Sequence, residues 1–286
     1  MLLAEKICSL NTGLPARFDS MLAQALLLVK DDAHRDDLCA VACAVAGAAW
    51  QRWLSARTAE DNRQEHEWVV FANVMRIAED ESLSLSDKRV ATAFTFTHDS
   101  FFIPRVTEQQ IREATTPELK ARLEQEKERQ RLRHMKVGAA NADSLLRELK
   151  DPRAPEKLLF TPGEIARCVA LVAGHDLWKM PVPEPPPTHD RLALACVEGD
   201  ALWPLHPLGV LADLERPNGE GVSKDFSDPE KWRAQLLQSC QTLVEFRPKW
   251  KEIPEGDFVD GESIFRTPEG ARLYHEWRGR WNLDPA

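Results

Sequence analysis

The sequence predicts an all-α fold. Three observations lead there. The 286-residue chain is rich in Ala, Leu, Glu and Arg, residues that lose little freedom on entering a helix. It has a single Tyr and few Ile, and extended alternation of apolar and polar residues is scarce. Apolar residues instead recur at three- and four-residue intervals through most of its length.

Helices are expected over 17–30, 34–57, 63–80, 86–98, 117–149, 162–176, 189–203, 228–244 and 268–281. Within the second, the run from Leu38 to Trp50 spans 13 residues, short of the roughly 20 a bilayer crossing needs, and reads as a buried helix. The fifth opens with PELKARLEQEKERQRLRHMK, where opposite charges at three- and four-residue spacing support a solvated face. Thr161-Pro162 with Glu164 marks the start of the sixth. The segment Met180 to Pro187, MPVPEPPP, cannot be helical and predicts a rigid extended loop before the seventh. Gly, Pro, Asn and Asp gather over 216–228, and 253–263 is similarly polar, so irregular connectors are expected between the last helices.

Composition narrows the function. Net charge is −9, which argues against phosphate-backbone binding as the main activity, so nucleic acid is not the expected partner. Six cysteines occur without a CxxC, mostly in apolar surroundings, as small buried hydrophobes of a reducing compartment do. The opening MLLAEKICSLNTGLPARF lacks a basic segment followed by a long apolar one, and no membrane span is expected; a cytoplasmic location follows as the expectation. GxxxxGK[ST], GxSxG and a GxGxxG after a strand are all absent.

The histidines carry the chemistry. His66 shares a helix face with Val70, Asn73 and Ile77, and His98 follows Val90 and Phe94 at intervals of four. His134 lies on a face with Val137, Gly138, Asn141 and Leu145, and His175 closes the stripe Ile165, Cys168, Val172. Asp200 follows Leu192 and Cys196 on a face continuing to Trp203, where a carboxylate is costly unless a cation pairs with it. In the series His66, His98-Asp99, His134, His175, Asp200, successive members are separated by 24 to 40 residues, about one helix and a connection. A metal site in a helical bundle is assembled in this way, from inward-facing side chains of several helices.

This series resembles the HD superfamily of metal-dependent phosphohydrolases, whose pattern is H…HD…D with extra histidines in its two-metal members. HEWVVFANVMRIAEDESLSLSDKRVATAFTFTHD resembles the first two helices of that fold, RHMKVGAANADSLLREL its H-x-x-x-G-A helix, and LVAGHDLWK with ACVEGDALWPL the later histidine and final aspartate helices. The resemblance covers about 60–216. It implies an HD domain over 61–216, an N-terminal helical extension over 1–60 and a C-terminal helical and irregular segment over 217–286 packed on the core.

Residue by residue, the resemblance implies one metal held by His66, His98, Asp99 and Asp200 and a second held by Asp99, His134 and His175. Asp99 bridges them and is the catalytic candidate. Imidazole with carboxylate suits two divalent or mixed-valence ions, Fe or Mn first, then Zn or Ni. The expected reaction is hydrolysis of a small phosphorylated metabolite or nucleotide. Where many members carry a lysine, as in HDIGK, this chain has HDSFFIPR, with Phe102 at that place and Arg105 further on. The GYP motif is missing, and GHD replaces the tandem HH or HE, making Asp176 an acceptor beside the ligands rather than one of them. Arg105, Lys136, Lys179 and Arg191 are the candidates for an anionic substrate, with Lys179 and Arg191 expected at a rim formed by the proline loop. Two other functions share the ligand series: a di-iron oxygenase, of which myo-inositol oxygenase is the known HD-fold example, and a noncatalytic nucleotide-sensing module.

Overall fold

The computed structural model describes residues 13–58, 62–101, 106, 108–215 and 228–281. Over these the chain is all-α, with eleven α-helices and one two-stranded hairpin. The helices are α1 (Ala16–Leu26), α2 (Asp32–Arg52), α3 (His66–Asp80), α4 (Leu85–Thr97), α5 (Glu108–Arg112), α6 (Pro117–Glu148), α7 (Pro162–Gly174), α8 (Arg191–Ala201), α9 (Pro207–Glu215), α10 (Pro229–Phe246) and α11 (Pro268–Arg280). Nine of them fall on the expected segments. The short α5 and α9 were not anticipated, nor was the hairpin of β1 (Lys150–Asp151) and β2 (Ala154–Leu158), which pair antiparallel around Pro152 and Arg153.

Helix ends obey local chemistry. Asp31, Ser84, Thr116, Thr161, Asp190, Asp228 and Thr267 each accept a backbone N–H at a helix start, worth about 1 kcal/mol apiece. At Thr161 the cap is reciprocal: its Oγ1 accepts from Glu164 N at 3.2 Å, while Thr161 N donates to Glu164 Oε2 at 2.9 Å.

α3 and α4 form the centre. α8 lies along α3 and α7 along α4, α1 and α2 cover the two helices from the N-terminal side, and α6 closes over α7. α2 is buried from Leu38 to Ala49 through small and β-branched residues, which let it sit close against α4. α6 behaves as two halves. Its charged first half is solvated, and burial begins only at His134, continuing through Met135, Gly138, Ala142 and Leu145. The proline loop is irregular throughout.

Two close approaches make the arrangement. A Cβ on Gly199 would lie 2.5 Å from a Val74 methyl and 3.0 Å from its backbone N, so α8 can lie this near α3 only with glycine there. A Cβ on Gly138 would meet the His98 carbonyl at 3.0 Å, which sets how near α6 comes to the end of α4. At the other side of α8, buried Glu198 accepts from Arg266 N at 2.8 Å, Thr267 N at 3.3 Å and Thr267 Oγ1 at 2.5 Å. That carboxylate fastens the start of α11 to the helix carrying Asp200; burial pushes it up to about 7 despite these bonds. No helix among the described residues is long and apolar enough to cross a membrane.

Candidate metal centre

Five elements bring six side chains to one point. His66 opens α3, His98 and Asp99 follow the last turn of α4, His134 lies midway along α6, His175 follows α7 and Asp200 ends α8. All are at least nine-tenths buried. They fall into two groups, His66 with His98 and Asp200, and Asp99 with His134 and His175, and within each group the donor atoms lie within 4.8 Å of one another.

The donor spacings are informative. His66 Nε2 is 3.1 Å from His98 Nε2 and 3.3 Å from Asp200 Oδ1, and His98 Nε2 is 3.4 Å from the same oxygen. In the other group Asp99 Oδ1 is 3.0 Å from His134 Nε2 and 3.6 Å from His175 Nε2, with 3.3 Å between the two imidazoles. Ligands about 2.1 Å from one ion stand roughly 3.0 Å apart in octahedral and 3.4 Å apart in tetrahedral coordination. Both groups fall close to that range.

Tautomers strengthen the case. The Nδ1 of His98 faces the Thr95 carbonyl at 2.9 Å, that of His175 faces the Val172 carbonyl at 2.8 Å, and that of His134 faces the Phe101 carbonyl. A carbonyl only accepts, so each Nδ1 carries the proton and each neutral ring turns an Nε2 lone pair inward. His134 and His175 then oppose lone pair to lone pair at 3.3 Å, which is repulsive unless a cation lies between them or one ring is protonated. Burial alone would lower the His98 imidazole, but Asp99 and Asp200 override it and push it up to about 9. Burial likewise opposes ionisation of the two aspartates; His98, His134 and His175 hold Asp99 well below the usual carboxylate range, and Lys179, His66 and His98 do the same for Asp200.

Aromatic rings wall the cluster. Phe94 stacks on His98 at 4.9 Å and Trp203 meets His66 edge-on at 5.0 Å. Trp68 belongs to the core, stacked on Phe18, and Trp178 packs against Phe246 and Trp250.

The cation candidates separate. Lys179 reaches the cluster: its Nζ is 3.6 Å from Asp200 Oδ2 and 2.7 Å from Asp176 Oδ1. Asp176 is buried between Lys179 and Arg131, whose Nε is 3.8 Å from Asp176 Oδ2. Lys136 is exposed, because two residues past His134 is about 200° around the helix. Arg191 starts the helix that Asp200 ends, about 13 Å away along the axis, and pairs with Glu81 at 3.4 Å. Arg105 lies outside the described residues.

Three residues around the cluster escape a sequence reading. Arg57 Nη1 forms a buried pair with Glu67 Oε1 at 2.6 Å, its Nη2 donates to the Asp99 carbonyl, and Asn62 Nδ2 donates to Asp99 Oδ2 at 3.2 Å. Burial raises the Glu67 carboxyl despite Arg57. The one signal was Glu67 itself, a carboxylate in an apolar helix beginning HEWVVF. A separate cavity of about 810 Å³ lies between α10 and α11, lined by Leu237, Cys240, Val244 and Tyr274 among others, and none of the six cluster residues lines it.

No protein-family model, no curated protein and no solved structure matches this chain. The buried His/Asp cluster in a helical fold is compatible with an HD-type metal site, and its donors can hold metal ions.

Proposed function

We propose that this chain is a metal-dependent phosphohydrolase or phosphodiesterase acting on a small phosphorylated metabolite or nucleotide. The observation that supports this reading is the pairing of two donor groups, each at metal-ligand spacing, through one carboxylate: Asp99 Oδ1 faces His134 and His175 while Oδ2 is 3.4 Å from His66 Nε2. One ion would be held by His66, His98, Asp99 and Asp200 and another by Asp99, His134 and His175, with Fe or Mn favoured by the mixed donor set. When bound, two such cations would lower the pKa of a water and offset charge on phosphoryl oxygens.

The chain's own residues do the rest. Backbone carbonyls hold His98, His134 and His175 with their lone pairs inward, so no reorientation is needed when a ligand arrives. Phe94 and Trp203 keep water from the outer faces of the imidazoles. Lys179 Nζ, half-buried beside Asp200, offers N–H donors to a phosphate oxygen, and Asp176 holds the ammonium in place.

The test is elemental analysis of anaerobically purified protein together with a panel of phosphate esters and nucleotides, assayed with and without oxygen. Metal-dependent phosphate release that is insensitive to oxygen and lost with chelator is the expected result. Oxygen consumption without phosphate release would make the protein a di-iron oxygenase, and nucleotide binding without turnover would make it a sensing module.

A further inference from the structure

The turn that leads into α3 reaches the middle of the cluster. Asn62 and Arg63 both have left-handed backbones, with φ of +66° and +65°. Asparagine tolerates this region, but arginine does so at a cost, so surrounding contacts must hold the turn. They are present. Arg63 N donates to the Thr58 carbonyl at 2.7 Å, Arg63 Nη1 to Glu215 Oε2 at 2.6 Å, and Gln64 Nε2 to the Ser55 carbonyl at 2.8 Å. The braced turn directs the Asn62 amide at Asp99, Nδ2 to Oδ2 at 3.2 Å. Arg57, buried against Glu67, donates to the main-chain carbonyl of the same aspartate.

Asp99 needs this help because its two oxygens have different tasks. Oδ1 is 3.0 Å from His134 Nε2, and Oδ2 is 3.4 Å from His66 Nε2. The terminal torsion of an aspartate is broad and soft, so the carboxylate can rotate away from this division unless something selects one orientation. A hydrogen bond to one named oxygen does so. We propose that Asn62 is a positioning residue that sets the Asp99 carboxylate astride the two donor groups, with Arg57 anchoring the main chain beneath it. This rests on the metal-centre reading above.

The consequence is asymmetric. Among the described residues, His66, His98 and Asp200 form a triad without Asp99, whereas Asp99 is one of the three donors in the group with His134 and His175. Losing the Asn62 amide therefore weakens the second site far more than the first. Asn62→Gly is the suitable variant, since glycine keeps the left-handed backbone and removes only the side chain. Mn²⁺ binding to the full chain, followed by calorimetry and by electron paramagnetic resonance, reads the two sites separately, with the melting temperature checking the fold.

In wild type, two Mn²⁺ ions bind. Asn62→Gly raises the Kd of one by about tenfold or more and of the other by less than about threefold, as loss of a hydrogen bond to a metal ligand does. In a His134→Ala background, which lacks the sensitive site, adding Asn62→Gly changes the remaining Kd by less than about threefold. Equal weakening of both ions, or no change at either, overturns the positioning role while leaving the metal centre intact. A wild-type chain that binds no divalent cation overturns both readings.

Discussion

Two clusters of buried or half-buried polar groups both draw on α4 and α7, and they are built on opposite plans. Arg89 on α4 donates to Asp37 at 2.6 Å, to Glu164 at 2.8 Å and to the Leu159 carbonyl, while Arg153 reaches Asp37 at 2.7 Å and Asp151 at 2.9 Å. Donors and acceptors match, and the network ties α2, α4, α7 and the hairpin together. Nine residues further along the chain the plan reverses. Around His98 and Asp99, four imidazoles and two carboxylates converge, and without a metal the carboxylates draw a proton onto His98. A balanced network needs nothing further, whereas a surplus of acceptors needs a cation. The contrast separates a self-sufficient polar cluster from one whose donors could hold metal ions.

The sharpest way to break this comparison is to remove one central group from each. Asp99→Ala should empty the group it shares with His134 and His175 and weaken binding at His66, His98 and Asp200, at least halving metal content and abolishing turnover, with the fold retained. Arg89→Ala should leave metal content unchanged and cost about 3 kcal/mol of stability, because it leaves partly buried carboxylates unpaired. Metal analysis and denaturant titration of both variants decide it; metal loss in Arg89→Ala would erase the distinction.

Within the acceptor-rich cluster, His134→Ala or His175→Ala should reduce stoichiometry from two ions toward one while the ion at His66, His98 and Asp200 stays bound. If both variants keep two ions per chain, the second group of donors is wrongly drawn.

A histidine outside the cluster sharpens the contrast through pH. His206 accepts from Leu208 N at 3.2 Å, and burial, with Arg280 nearby, lowers its imidazole to about 4. The folded chain thus prefers the neutral ring. Above the unfolded value of 6.5 it makes no difference to stability; as pH falls from 6.5 toward 4 the unfolded chain binds the proton first and stability drops, by up to about 3 kcal/mol. His206→Asn, which keeps an acceptor for Leu208 N, should flatten that part of a stability-against-pH curve. An unchanged slope would place the titrating group elsewhere.

The smallest effect concerns substrate. Lys179→Ala should raise KM several-fold for a phosphorylated substrate with metal content unchanged, and the defect should shrink as salt rises. Arg191→Ala, at the far end of α8, should leave KM alone. Equal defects in the two variants would mean that α8 presents both ends to the ligand.

Much of this was legible in the sequence because helices announce themselves by period and by caps. The start of α7 at Thr161-Pro162 and the buried run of α2 could be read from one dozen residues each, and the faces holding His66, His98, His134, His175 and Asp200 followed from spacing alone. What failed did so for definable reasons. α9 is too short for a period to emerge after the turn at Trp203–Leu205, and the hairpin around Pro152 was hidden between two strong helices. Proximity in sequence to the ligands does not by itself place Lys136 and Arg191 beside the cluster: on a helix, two residues turn a side chain by about 200° and nine carry it about 13 Å along the axis. Arg57 and Asn62 were invisible because their role depends on a loop meeting the end of α4, a contact that no local pattern encodes.

The central claim is that the surplus of acceptors around Asp99 is a metal centre. Elemental analysis of the wild-type chain purified anaerobically, with Mn²⁺ or Fe²⁺ titrated into chelator-treated protein while its melting temperature is followed, addresses it most directly. Two ions per chain and a melting temperature that rises with metal concentration are predicted. A chain that retains no metal, takes up none on titration and melts at the same temperature throughout would contradict the account.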